Sequence, residues 1–215
     1  MRVLNWSHSA DTALTAAIDC LRQGGLVALP TDTLYGLAAD VTNDEAITRL
    51  FQAKRRAPDV AFPILISEVD EAVALTENIP PLALKLAGRF WPGPLTLVLK
   101  RSAAFHSLAL AGNDSIALRV PDHAVPLALI GLFGSPITGT SANLSGRPAP
   151  RTAAEVIEQL GDDVDIVIDG GPSPLGIEST VVDLRQDRPR LLREGAVKRR
   201  ELEAAAGLSF DLIEE

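Results

Sequence analysis

Apolar residues recur at intervals of three and four in parts of the chain, the spacing of a helix with one buried face. Leu14, Ile18 and Leu21 show this spacing, and Gly24 follows as a helix-ending residue. Helices are predicted over residues 11–23, 80–90, 124–132, 152–160 and 198–206, and directly after the capping residues Asn43 and Ser67.

Short apolar runs separate these helices and predict strands buried in a sheet. The predicted strands cover residues 26–29, 62–66, 95–99, 115–120, 136–139, 165–168, 179–184 and 190–192. The last two follow one another with no helix between them. This order favours a mixed α/β sheet over a purely parallel doubly wound one. No linker-like segment interrupts the pattern, so we expect one domain over residues 1–215.

The composition narrows the class of protein. Of the 215 residues, 47% are hydrophobic, enough for the core of one large domain. No apolar run reaches the roughly 18 residues of a membrane helix, and residues 1–7 lack the apolar centre of a secretion signal. A single cysteine, Cys20, is typical of a reducing compartment. These features predict a cytoplasmic protein with no membrane partner. The three histidines lie far apart, so we expect no metal-binding side chains.

Net charge is −8, which makes the clustering of basic residues informative. A polyanion must meet such a protein at a local basic site. Lys54, Arg55 and Arg56 are consecutive and lie at the end of a predicted helix. Cations there offset the helix dipole and are usually solvated. Alternatively, Lys54 and Arg56 point the same way and clamp a phosphate.

Several predicted strands end in polar segments. Residues 29–37 and 139–146 are rich in hydroxyl and amide side chains, which form either ordinary turns or the rim of a ligand site. Glu178 and Ser179 stand at a strand entry, where an ordinary turn and a ligand contact are both open. Arg119 shares a strand face with Ser115 and needs a partner, of which a bound carboxylate is one candidate. Arg193 is a candidate second cation.

Together, in this order, the segments resemble the YrdC-like family, the threonylcarbamoyl-AMP synthases. The resemblance covers about residues 10–205. Longer relatives carry a second C-terminal domain, and we expect the sequence to correspond to the single-domain form. The matching pieces are residues 30–36 (Pro-Thr-Asp-Thr-Leu-Tyr-Gly), Lys54 with Arg56, residues 91–96 (Trp-Pro-Gly-Pro-Leu-Thr), Arg119 with Pro121, residues 141–146 (Ser-Ala-Asn-Leu-Ser-Gly), residues 178–183 (Glu-Ser-Thr-Val-Val-Asp) and Arg193 with Gly195.

The resemblance implies a fold and a reaction. Members have a twisted mixed sheet with flanking helices around an open cavity. They combine L-threonine, bicarbonate and ATP, with Mg²⁺, into threonylcarbamoyl-AMP and pyrophosphate. A transferase complex then passes the group to an adenosine of tRNA, so that complex is an expected partner, and contact with double-stranded tRNA is a further expectation.

The resemblance also assigns roles by position. Lys54 and Arg56 are the expected catalytic residues and contact the ATP phosphates. The other expected nucleotide contacts are Ser115, Ser141, Asn143 and Arg193. Threonine is expected at Thr33, Arg119 and Ser179, with Arg119 facing its carboxylate. Cations suit this chemistry, because an anionic carbamate must approach an anionic α-phosphate.

The chain departs from the family pattern at Val60, Leu65, Thr140 and Ala149. These changes affect the expected selection of threonine and one nucleotide hydrogen bond, and leave the phosphate cations in place. A paralogue that adenylates another small acid therefore stays open. A non-catalytic RNA-binding module of the same fold is the other alternative, which the acidic balance and the aromatic content of 4% disfavour.

Overall fold

The structure is a computed structural model and describes residues 1–212. Its helices are α1 (Trp6–Arg22), α2 (Asp44–Lys54), α3 (Glu71–Leu75), α4 (Pro81–Phe90), α5 (Ala124–Phe133), α6 (Ala153–Leu160) and α7 (Arg199–Ala206). Its strands are β1 (Arg2–Asn5), β2 (Val27–Leu29), β3 (Gly36–Ala38), β4 (Ile64–Leu65), β5 (Leu95–Lys100), β6 (Ser115–Arg119), β7 (Ile137–Thr138), β8 (Thr140–Ser141), β9 (Ile166–Asp169), β10 (Thr180–Asp183), β11 (Arg190–Arg193) and β12 (Asp211–Leu212).

Helix N-termini follow the predicted capping residues in two cases and depart from them in one. The Asn43 side chain accepts hydrogen bonds from the first turn of α2, and Thr152 accepts one from Glu155 N at the start of α6. The predicted cap at Ser67 is wrong. Helix α3 begins only at Glu71, and the Ser67 backbone N–H instead donates to the Glu71 carboxylate at 2.9 Å.

The strands form two mixed sheets. The first has the order β1-β9-β2-β3-β8, and the second has the order β12-β11-β10-β5-β6-β4-β7. In the first, β1, β9 and β2 are parallel, while β3 runs antiparallel to β2 and β8. In the second, β10 is parallel to β5 and antiparallel to β11. The predicted mixed α/β class is therefore confirmed, with the strands divided between two sheets.

Both faces of the first sheet are buried, because successive residues of a strand point to opposite sides. Ala28 and Val167 pack with α2 and α6 on one face. Val27 and Ile166 pack with α1 and α5 on the other. The second sheet packs against α4 and α7 through a separate cluster of buried side chains. This double burial explains why the central strands read as continuous apolar runs.

Three strands of the first sheet, β1, β3 and β8, were not predicted, and β8 lies in a segment expected to be a polar loop. Strand β1 is mostly exposed and has no apolar run, and it exists through its parallel pairing with β9. Strand β3 lies in the segment interpreted as either a turn or the rim of a ligand site, and its pairing with β2 makes a hairpin around the polar residues 30–35. Within residues 1–212, no helix combines the length and the hydropathy needed to cross a bilayer.

Candidate active site

Residues of both sheets line a cavity of ≈ 270 Å³. Six of the nine predicted site residues line it: Thr33, Arg56, Arg119, Ser141, Ser179 and Arg193. A wider hollow of ≈ 870 Å³ lies beside α1, and none of the nine predicted residues lines it. Chemistry rather than size therefore identifies the candidate site.

Arg119 ends β6 with its guanidinium in the cavity wall, and only 6% of the residue is exposed. Its Nε donates to the Gly93 carbonyl at 2.9 Å, and Nη1 donates to Thr33 Oγ1 at 2.9 Å. Its Nη2 donates to Asp32 Oδ1. Burial lowers the pKa of Arg119, and the nearby charge of Asp32 opposes that shift. The sequence had left the partner of this arginine open, and Asp32 supplies it within the protein.

Arg193 ends β11 and meets Ser179, which directly precedes the adjacent strand β10. Arg193 Nε donates to the Ser179 carbonyl at 3.0 Å, and Nη2 donates to Ser179 Oγ at 3.2 Å. The Ser179 hydroxyl also lies 2.9 Å from Thr96 Oγ1. Arg193 Nη1 forms an ion pair with Glu178 Oε2 at 2.9 Å. This corner of the cavity combines one guanidinium with two hydroxyls.

A close backbone approach holds the same corner together. A Cβ atom added at Gly195 would lie 2.2 Å from the Glu178 carbonyl oxygen. The Gly195 N–H donates to Thr180 Oγ1 at 2.9 Å. Only glycine leaves room for this contact, which fixes the segment after β11 against the start of β10.

Arg56 follows α2 and also lines the cavity. It donates to the carbonyls of Val60 and Ala61, and its guanidinium carbon lies 4.9 Å from the centre of the Phe62 ring. No carboxylate within residues 1–212 forms an ion pair with it. Its neighbour Arg55 is exposed and takes a left-handed backbone conformation. The basic cluster thus contributes one guanidinium to the cavity, and its charge lacks a carboxylate partner there.

Lys54 is buried and does not line the cavity. Its ammonium donates to the Ser141 carbonyl and, at 2.8 Å, to the Asn143 carbonyl. Burial, with a smaller effect of the Arg56 charge, lowers the pKa of Lys54 from 10.5 to about 7. Lys54 and Arg56 therefore do not point the same way. In this structure Lys54 holds together the loop from which Ser141 faces the cavity.

Asn143 and Ser115 also lie outside the cavity lining. Asn143 is a buried residue of the loop after β8, and its side-chain nitrogen donates to the carbonyls of Leu144 and Arg147. Ser115 begins β6, at the end opposite Arg119, and pairs with Lys100. Its contact with the nucleotide stays a prediction.

Sequence reasoning assigned no role to Asp32 or Thr96, and it left Glu178 open between an ordinary turn and a ligand contact. Asp32 and Thr96 stood inside matched segments, but only the fold shows that they face Arg119 and Ser179. Of the four departures from the family pattern, Leu65 and Thr140 line the cavity. Val60 is 44% exposed and lies outside the lining, as does Ala149.

Comparison with known proteins identifies the family. A family model named Sua5_yciO_yrdC, described as "Telomere recombination", matches residues 19–195. The chain belongs to this family. The resemblance drawn from the ordered motifs is therefore confirmed, and the matched residues include the whole cavity lining.

Named relatives in this family share much of the chain. Threonylcarbamoyl-AMP synthase of Pyrococcus abyssi is 43% identical over 187 residues, which cover 87% of this chain and 55% of that protein. Threonylcarbamoyl-AMP synthase of Bacillus subtilis is 39% identical over 198 residues, 92% of this chain and 57% of that protein. This chain thus spans little more than half the length of these two relatives.

A solved structure supports the fold in detail. The crystal structure of P. abyssi Sua5 complexed with L-threonine matches with a TM-score of 0.92 and 38% sequence identity. The match covers 99% of this chain and 62% of that one. The fold class predicted from the sequence is shared with a protein that was crystallised with an amino acid.

Proposed function

We propose that this chain is a threonylcarbamoyl-AMP synthase, which condenses L-threonine, bicarbonate and ATP into threonylcarbamoyl-AMP and pyrophosphate. The observation that carries the proposal is the convergence of Arg56, Arg119 and Arg193 on one hydroxyl-rich cavity in an otherwise acidic protein. The printed names of the P. abyssi and B. subtilis relatives support the same activity. That residues 1–215 act as a single catalytic domain is part of the proposal.

The chemistry requires positioning and cations rather than a nucleophilic side chain. The threonine nitrogen forms a bond to the bicarbonate carbon, and loss of water leaves a carbamate. A carbamate oxygen then forms a bond to the α-phosphorus, the bond to the β-phosphate bridging oxygen breaks, and pyrophosphate leaves. Both steps bring anions together. Guanidinium groups in a partly buried cavity stabilise that arrangement far more than they would in water.

The positions of the side chains suggest how the cavity divides. Thr33, Arg119 and Ser179 form the proposed threonine side, with the Arg119 guanidinium toward the carboxylate. Arg56, Ser141 and Arg193 form the proposed nucleotide side. Arg56 suits the phosphates best, because no carboxylate among the described residues pairs with it. We assign Lys54 and Asn143 to the same side, where they shape the loop that carries Ser141.

We propose that Mg²⁺ enters with ATP rather than as a resident ion. Within residues 1–212, no group of three histidine, cysteine, aspartate or glutamate side chains is placed to hold a metal. Glu178 is the carboxylate that lines the cavity, and it pairs with Arg193. Mg²⁺ is commonly held by substrate phosphates with few protein ligands. The ion is therefore part of the substrate in this proposal.

Pyrophosphate release tests the activity. The protein is incubated with ATP and bicarbonate, with and without L-threonine, and pyrophosphate is measured continuously. We expect release that depends on threonine, with serine and allo-threonine as matched comparisons. Release that is indifferent to threonine would exclude this substrate, and release with another small acid would favour a paralogous adenylating enzyme.

The proposed product defines a place in tRNA modification. A mixed anhydride of a carbamate and a phosphate transfers its acyl group readily, so a transferase complex that acts on tRNA is the proposed consumer. Direct contact with double-stranded tRNA and a cytoplasmic location belong to the same proposal. Titration of tRNA at several salt concentrations tests the contact, because phosphate-mediated binding weakens steeply with salt.

A further inference from the structure

Asp32 is a buried carboxylate that the proposed reaction leaves without a role. It lies in the hairpin between β2 and β3 and is 4% exposed. Its backbone carbonyl accepts a hydrogen bond from Leu175 N at 3.0 Å, which ties the hairpin to the segment before β10. Its side chain does not line the cavity. Asp32 therefore lies behind the residues that line the cavity, in contact with Arg119.

The carboxylate of Asp32 is directed at Arg119 instead. Its Oδ1 accepts from Arg119 Nη2 and, at 3.2 Å, from the Asp122 backbone N–H. Its Oδ2 is buried and has no hydrogen-bond partner among the described residues. A buried carboxylate with one unpartnered oxygen is costly to keep, and this ion pair is the contact that retains it.

The three contacts of Arg119 leave part of its guanidinium available for one further hydrogen-bond partner. A guanidinium has five N–H donors. Gly93, Thr33 and Asp32 take one each from Nε, Nη1 and Nη2. One N–H therefore remains on each terminal nitrogen, and the side chain lines the cavity. Two such donors in one plane match the two oxygens of a carboxylate.

We propose that Asp32 is a positioning residue, which fixes the Arg119 guanidinium so that its two free N–H groups meet the carboxylate of the amino-acid substrate. The identity of that acid rests on the proposed function. The positioning itself applies to any carboxylate that the cavity binds. Because a misplacement of about 1 Å costs on the order of a hundredfold in rate, the side chain that sets this geometry affects the acid far more than ATP.

The test compares Asp32→Asn with Asp183→Asn, which alters another buried aspartate. Asp183 is 3% exposed and pairs with Arg185, but it lies at the far end of β10 from Ser179 and outside the cavity lining. For both variants, KM for threonine, KM for ATP, kcat and Tm are measured. We expect Asp32→Asn to raise KM for threonine about tenfold or more while KM for ATP stays within about twofold. Asp183→Asn lowers Tm and leaves both KM values unchanged.

A purely structural role would lower Tm and change the two KM values together, and that result overturns the proposal. If Asp32→Asn does not fold, Asp32→Glu decides, because it keeps the charge and moves the guanidinium. An unchanged KM for threonine in the glutamate variant overturns the proposal as well.

The positioning role of Asp32 can be tested even if the proposed threonine activity is wrong. If the wild type releases no pyrophosphate with threonine, a panel of amino and hydroxy acids is screened for stabilisation of the wild-type protein. The acid that stabilises the wild type must lose its effect in Asp32→Asn, while ATP keeps its own. A panel in which no carboxylate stabilises the wild type overturns the positioning role.

Discussion

Replacing Lys54 with methionine removes the buried ammonium while keeping most of the side-chain volume. In the structure this ammonium is almost completely buried and donates to the carbonyls of Ser141 and Asn143. Ser141 O keeps a second donor, the Asn143 backbone N–H at 3.0 Å. The Asn143 carbonyl loses its lysine partner, which costs about 1–3 kcal/mol of stability. The variant also avoids the cost of burying an ammonium, which offsets that loss. The sharper prediction therefore concerns how the free energy of unfolding depends on pH.

Burial lowers the pKa of Lys54 to about 7, whereas an exposed lysine has a pKa of 10.5. Between these two values the unfolded chain holds a proton that the folded chain has released. Raising the pH through this window therefore stabilises the folded wild type relative to its unfolded state. From about pH 7.5 to about pH 9.5 the gain is about 2–3 kcal/mol. Below the window both states hold the proton, and the full cost of burying the charge remains.

Urea denaturation at the two pH values measures the effect. The free energy of unfolding of the wild type, minus that of Lys54→Met, must increase by about 2–3 kcal/mol from the lower to the higher pH. Groups that titrate equally in both proteins cancel in this difference. Lys85→Met, on α4, is the control, because it removes one positive charge and one hydrogen bond to a backbone carbonyl, that of Ala206. A difference that is the same at both pH values would refute the account of Lys54 as a buried, readily deprotonated lysine.

Two further predictions use matched pairs of variants. Arg56→Gln raises KM for ATP about tenfold or more, because a charge-assisted contact with the phosphates is lost. Arg55→Gln, at the exposed neighbour, leaves KM for ATP unchanged. Initial rates at varied ATP concentrations measure both values, and equal effects of the two variants would contradict the assignment of Arg56. Gly195→Ala places Cβ 2.2 Å from the Glu178 carbonyl oxygen and lowers the free energy of unfolding by about 1–3 kcal/mol or more. Gly88→Ala, in α4 where the added Cβ meets no atom, raises it by about 0.5–1 kcal/mol. Thermal unfolding measures both, and an unchanged stability of Gly195→Ala would contradict the close backbone contact.

The sequence correctly predicted helices and strands whose formation depends on residues close to them in the chain. Helix α2 followed from Asn43 and the apolar residues Ile47 and Leu50, because capping and helical spacing act within a few residues. The same signals failed at α3, where the side chain of Ser67 engages Glu71 rather than capping a helix. Strand β1 could not be predicted, since it pairs with a strand far along the chain.

The sequence likewise predicted some features of the candidate site and not others. The ordered motifs identified Thr33, Arg119 and Ser179 as members of one site, and these side chains do line one cavity. The motifs did not reveal that Asp32 partners Arg119 across 87 residues of sequence. Nor did charge alone separate the three basic residues of the cluster. Their distinct positions follow from the left-handed backbone at Arg55, which ends α2 and turns the chain.

The central claim is that the cavity joins threonine, bicarbonate and ATP in one product. The most direct test uses ¹³C-labelled bicarbonate and detects nucleotide products by mass spectrometry. The account predicts a threonine-dependent product that carries both the amino acid and AMP and gains one mass unit with the label. A threonine–AMP product without the label, or release of AMP and pyrophosphate alone, would contradict it.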